Sequence, residues 1–358
     1  MQPAIHGDAV AGNVTFFGFA FPHHGQRSGF SAMARELRRR GVVIKHFPFL
    51  RVGARVPSRV RARVWRLWFR LNEYRVADDF TQGRLVHYFF PENSLFQAAR
   101  WRGRGGRLVV TLHQPPAIVS ADSLQDRFPH LHRAMQVADG IVIMSACALS
   151  AYQVLFPRPR IRAIAHGVDT TFFLRSAPYV PPGRAEPLRL LTVGNWLRDY
   201  AVWGHVVARL SSRRPVQATV IGNDDTLAIA RHAMQGRPVE VRYLSGLDDD
   251  RLRVEYQRAH LLFLPLLDAW ANNALLEAMS MGLPAVVTDL PAVREYGGGC
   301  AVYVTQDPLA IVNCICHLCD SPHALQELST HCERRARELY SWSTIVDQYL
   351  LFYQECMS

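Results

Sequence analysis

A chain of 358 residues with 49% hydrophobic content can bury two cores of ordinary α/β size, which excludes a disordered or low-complexity protein. No apolar run is long enough to cross a bilayer and no signal-peptide core opens the chain, and the seven cysteines have no framework spacing; a cytoplasmic, reducing compartment is expected rather than a disulfide scaffold. The net charge of +11, with Lys45 the only lysine, points to anionic partners, though no recognised nucleic-acid module accompanies it.

In the first half of the chain, short apolar runs alternating with helical spacing predict strands over 13–19, 42–47, 84–89, 107–112 and 140–144. The loop His23-His24-Gly25-Gln26-Arg27-Ser28-Gly29 follows the first of these and opens a helix over 30–40. Glycine there lets backbone approach a ligand, and a helix start supplies free N–H groups for anions. Between 51 and 75 the residues Val56, Val60, Val64, Leu67, Trp68 and Leu71 share one arc at 100° per residue, with Arg59, Arg63, Arg66 and Arg70 in a stripe beside it. Two readings stand: a helix for the interface of an anionic membrane, or a core-facing helix with a solvated basic side. After the fourth strand, Thr111-Leu112-His113-Gln114-Pro115-Pro116 places a polar residue, His113, at a strand exit.

The Pro-rich stretch 178–187 reads as a link, and strands follow over 188–193, 216–221, 239–244, 260–264, 285–288 and 301–304. Asp224-Asp225 and Asp248-Asp249-Asp250 read as helix starts rather than as a metal site. Cys314, Cys316 and Cys319 lie at helical apolar spacing with Ile311, Ile315 and Leu318, so that with His317, His331 and Cys332 they read as helix residues and no metal is expected.

The most informative segment is 261–288. Leu261-Leu262-Phe263-Leu264-Pro265 suits a buried parallel strand ended by proline. Asn272 or Asn273 then caps a helix whose cover is Ala274, Leu275, Leu276, Ala278 and Met279, and Gly282 stops it before the next strand. A helix that starts at the carboxyl edge of a sheet directs N–H groups and partial positive charge outward, enough to hold a diphosphate without a metal, and Glu277 one turn inside suits a ribose diol.

This segment resembles the donor motif of the family 4 retaining glycosyltransferases of GT-B fold. The resemblance extends to His166-Gly167-Val168-Asp169 with Phe172-Phe173, to Leu190-Leu191-Thr192-Val193-Gly194, to Asp139-Gly140-Ile141-Val142-Ile143-Met144-Ser145 and to Leu339-Tyr340-Ser341-Trp342, in order and spacing. It implies an α/β GT-B chain of two facing Rossmann-like, doubly wound parallel-sheet domains: 1–168 on the acceptor side, a linker 169–187, a donor domain 188–340, and a C-terminal helix 341–358 packing back on the first domain.

It also implies a metal-independent, retaining transferase for which a UDP- or GDP-linked sugar is substrate and no cofactor is needed. Donor and acceptor are expected between the domains, and the acceptor is expected to be lipid-linked or a polysaccharide at the cytoplasmic membrane face. The resemblance assigns the backbone at Asn272, Asn273 and Ala274, with Arg198, to the diphosphate and Glu277 to the ribose. Gly25 and Gln26 approach the donor phosphates, Gly194 and Asn195 belong to the first donor-domain loop, and His113 takes the sugar hydroxyl or acceptor side. Departures are visible. The first glutamate of the family's pair falls at Ala269, and Asn195 and Tyr200 stand where Arg and Lys are common, leaving Arg198 as the nearby cation. A non-catalytic protein that binds nucleotide-sugar or glycan is the alternative, and a GT-B epimerase or phosphorylase a third.

Overall fold

The computed structural model describes residues 10–21, 25–53, 56–114 and 129–358, and the chain divides into two compact units. One runs to His166 and adds Trp342–Ser358; the other is Gly167–Ser341.

In the first unit, strands β1 (Val14–Gly18), β2 (Val43–His46), β3 (Leu85–Tyr88), β4 (Arg107–Leu112), β5 (Gly140–Ile143) and β6 (Arg160–Ala163) form a parallel sheet in the order β2-β1-β3-β4-β5-β6. β1, β3 and β5 are buried along their whole length, as expected of strands covered on both faces, whereas the edge strands β2 and β6 are partly exposed. β6 is an element that apolar patterning did not predict.

The helix Trp342–Met357 covers this sheet. His87, fully buried on β3, has Nδ1 2.6 Å from the Tyr353 hydroxyl and Nε2 2.7 Å from Thr111 Oγ1, and the Tyr349 hydroxyl lies 3.2 Å from the same Thr111 oxygen. Burial depresses the His87 pKa to about 3, so the ring is neutral and can both donate and accept. Gly140 lets the helix come close: a Cβ there would lie 2.6 Å from Cys356 Sγ and 2.8 Å from the Phe352 ring.

The second unit repeats the plan with β7 (Leu188–Val193), β8 (Val216–Ile221), β9 (Val241–Leu244), β10 (Leu261–Leu264), β11 (Ala285–Thr288) and β12 (Ala301–Val304), ordered β12-β11-β10-β7-β8-β9 and all parallel. Asn223 and Asp248 cap the helices Asp224–Ala233 and Asp249–Arg258 through Thr226 N–H and Arg251 N–H, so the aspartate runs are helix starts. Segment 169–187 is fastened to the second unit: the Arg175 guanidinium donates to the Met281 and Gln257 carbonyls, the Tyr179 hydroxyl donates to His260 O at 2.8 Å, and Phe173 is buried.

Candidate functional site

From β7 the second sheet grows through β8 to β9 on one side and through β10 and β11 to β12 on the other. Between β7 and β10 the connections diverge, and a parallel sheet leaves a ligand crevice beyond the carboxyl ends of its strands at such a point. The loops leaving these two strands are stitched together. Asp199 N–H donates to Pro265 O and Leu267 N–H to Leu197 O, both at 2.9 Å, and Arg198 bridges antiparallel to Leu266.

Arg198 is folded back over the end of β7. Its Nε and Nη2 donate to Val193 O at 3.0 and 2.8 Å, and Nη1 donates to Trp196 O at 2.7 Å. Gly194, at φ +113°, makes the fold-back possible, since a Cβ there would lie 2.2 Å from Arg198 Nη2. No carboxylate among the described residues pairs with this half-buried guanidinium, and desolvation lowers its pKa. A cation held only by carbonyl oxygens retains much of its field for an incoming anion.

After β10 the helix Asn273–Ser280 begins. Asn272, not Asn273, is its cap: Asn272 Oδ1 accepts the Leu275 N–H at 3.2 Å. The N–H groups of Asn273 and Ala274 therefore stand at the positive end of the helix without intrahelical acceptors. Glu277 is buried on the same helix and accepts the Tyr256 hydroxyl at 2.8 Å. Burial pushes its pKa up to about 8, with the Asp249 charge adding to the rise and the Tyr256 hydrogen bond opposing it.

In the first unit, His113 leaves β4 with its N–H donated to Glu92 Oε1 at 2.9 Å, its Nδ1 3.1 Å from Thr111 O, and its ring against Phe89 and Phe90, with centroids 4.6 and 4.4 Å away. Glu92 is buried, and burial raises its pKa to about 7. Gly25 is half-buried and Gln26 exposed, with the Gln26 carbonyl accepting from Arg35 at 3.2 Å. His23, His24, Pro115 and Pro116 lie outside the described residues. Arg59, Arg63, Arg66 and Arg70 are all exposed on the helix Ser58–Glu73, which carries them away from its packed side. Trp68 is half-buried, and its indole N–H donates to Pro48 O at 3.0 Å.

Residues 187–321 match the family model described as glycosyl transferases group 1, and this range holds β7, the Arg198 loop and the Glu277 helix. The second unit carries a glycosyl transferases group 1 domain.

The chain bearing this domain is 28% identical over 236 residues, 63% of its length, to MMP alpha-(1->4)-mannosyltransferase of Mycolicibacterium hassiacum; the match spans 56% of that relative. Its fold is similar to sucrose-phosphate synthase from Thermosynechococcus elongatus (TM-score 0.74, 15% identity, 95% of this chain and 98% of that one). It is also similar to HepE of Anabaena in complex with UDP (TM-score 0.68, 14% identity, 96% and 100%). The fold is GT-B, α/β with two six-stranded parallel sheets flanked by helices.

Within the glycosyl transferases group 1 domain the departures have structural uses. Asn195 Oδ1 accepts the Asn223 N–H at 2.6 Å, tying the loops after β7 and β8. Tyr200 is buried and donates to Gly194 O at 3.3 Å. Neither brings a cation. Ala269 is buried, and the neighbouring Asp268 carboxylate turns back on the Ala269 N–H at 2.8 Å. Two functional candidates escaped motif reading, Tyr256 behind Glu277 and Glu92 behind His113. The available signal was physical: a tyrosine on the apolar face of a helix must find a hydrogen-bond partner, and a carboxylate directly after an apolar strand must do the same.

Proposed function

We propose that this protein is a retaining glycosyltransferase that moves a sugar from a nucleotide diphosphate to a lipid-linked or polysaccharide acceptor at the cytoplasmic face of a membrane. What supports the reading is that the Arg198 loop leaves β7 and the Asn272-capped helix that bears Glu277 follows β10, the two neighbouring strands between which the connections of the second sheet diverge. Arg198 and the N–H groups of Asn273 and Ala274 neutralise charge that grows on the departing diphosphate, and Glu277 orients the ribose. His113, held through Glu92, serves the sugar hydroxyl or the acceptor. A UDP- or GDP-linked sugar is the donor, with no divalent ion or cofactor in the scheme. The HepE structures hold UDP and UDP-glucose, which supports a nucleotide-sugar.

Incubating the protein with UDP- and GDP-hexoses and a lipid extract, then reading the anomeric configuration of the product by NMR, tests the reaction. An α-linked product from an α-linked donor is expected; a β-linked product would replace retention by inversion. Ala269 favours a second reading, a non-catalytic binder of nucleotide-sugar, because a methyl group cannot accept a hydrogen bond from a sugar hydroxyl. Tight nucleotide binding with no turnover of any donor would select it.

A further inference from the structure

The helix Ser58–Glu73 is attached to its unit by a narrow side. Phe69, Asn72 and Glu73 are buried; the Trp65 and Trp68 indoles donate to Leu50 O and Pro48 O; and Glu73 accepts the N–H groups of Phe96, Gln97 and Ala98. Its other side is apolar and open to solvent: Val60, Val64, Leu67 and Leu71 are 46%, 38%, 59% and 57% exposed. Their spacing places them in one stripe. Arg59, Arg63, Arg66 and Arg70 repeat the same spacing one residue earlier and form a parallel row. No acidic residue interrupts the helix before Glu73, and among the described residues no carboxylate pairs with any of the four arginines.

An aliphatic stripe alone would suit several partners, and the unpaired arginine row decides among them. A second copy packed about a two-fold axis would bring like rows together. A nucleic acid would take the arginines and leave the aliphatic stripe in water. A bilayer rich in anionic lipid accepts both, with phosphates for the arginines and the acyl boundary for the aliphatic side chains. We propose that the helix Ser58–Glu73 docks on an anionic lipid bilayer, with Val60, Val64, Leu67 and Leu71 entering the interface and Arg59, Arg63, Arg66 and Arg70 at the headgroup phosphates. Trp68 has no part in this contact, and the docking does not depend on glycosyl transfer.

Co-sedimentation of the full chain with phosphatidylcholine vesicles, with and without phosphatidylglycerol, tests the proposal. Binding is expected only with the anionic lipid, and added salt weakens it. Replacing Arg63 and Arg66 with alanine should weaken binding on the order of 30-fold, from the worth of one basic residue near a charged surface. Leu67→Ser with Leu71→Ser should also weaken it while leaving the melting temperature unchanged, since both positions are exposed. Equal binding to both vesicle types, or wild-type binding by both double variants, would overturn the proposal. So would concentration-dependent dimerisation, in the absence of lipid, that Leu67→Ser with Leu71→Ser abolishes, because it would give the stripe to a second copy.

Discussion

The Tyr256 hydroxyl donates to Glu277 Oε2 at 2.8 Å, and both side chains are buried in the second unit. With its pKa near 8, Glu277 is mostly protonated in the empty site at neutral pH. In the proposed role the ionised carboxylate receives the ribose diol, so nucleotide binding should expel a proton. Affinity for a nucleoside diphosphate should therefore tighten as pH rises from 6 toward 8, by up to about tenfold per unit. Isothermal titration calorimetry of wild type beside Glu277→Gln checks this; the variant should bind weakly with a much flatter pH profile, and a flat wild-type profile would contradict the role.

Stability should respond to pH through the same buried groups. Glu277, Glu73 and Glu92 have pKa values raised to about 8, 7 and 7, mainly by burial. A raised pKa stabilises the folded state below the unfolded value near 4.5, and this contribution is lost as pH rises through 7 to 8. His87, depressed to about 3, acts in the opposite sense: its contribution is present above 6.5 and is lost as pH falls. Between pH 4.5 and 6.5 the three carboxyls outweigh the single histidine, so melting curves should show a maximum near pH 4.5, with a fall toward pH 8 and a shallower one toward pH 3. Glu277→Gln should reduce the fall on the alkaline side and His87→Gln the fall on the acid side.

Gly194→Ala combines a positive φ with a methyl group placed 2.2 Å from the Arg198 guanidinium. The strain costs roughly 1–3 kcal/mol, and the arginine must leave its place over the end of β7. Nucleotide affinity should fall with it, while His113→Ala leaves nucleotide affinity intact and removes turnover. Loss of binding in Gly194→Ala with unchanged Arg198 bonds in a crystal structure would contradict this link.

Much of the fold was legible because central parallel strands are nearly continuous apolar runs, as in Leu261-Leu262-Phe263-Leu264. β6 was not, because Arg160-Ile161-Arg162-Ala163 is an edge strand with one large apolar residue, and its pattern cannot be told from a loop. Adjacent asparagines left the helix cap ambiguous until backbone geometry selected Asn272. The Glu277–Tyr256 contact is set by how two helices cross over the sheet, which periodicity does not encode. For the helix Ser58–Glu73, periodicity located the apolar arc but not its direction. The packed side relies on Trp65, Phe69 and polar Asn72 and Glu73, so the core-facing reading fails and the aliphatic stripe faces solvent.

The C-terminal helix is an integral part of the first unit. Tyr353→Phe leaves the buried His87 Nδ1 without its partner and should cost about 1–3 kcal/mol in urea denaturation. Gly140→Ala should destabilise more, since its methyl group meets Cys356 and Phe352 at under 3 Å and pushes the helix from the sheet. Equal stability of both variants and wild type would show that the helix is dispensable.

The central claim is that the crevice around Arg198 and Glu277 holds a nucleoside diphosphate. Thermal stabilisation by a panel of nucleoside diphosphates and nucleotide-sugars, measured on wild type and on Glu277→Ala, tests it most directly. A rise of several degrees with one nucleotide, lost in the variant, is the predicted result. No rise with any member of the panel, or an equal rise in the variant, would contradict it.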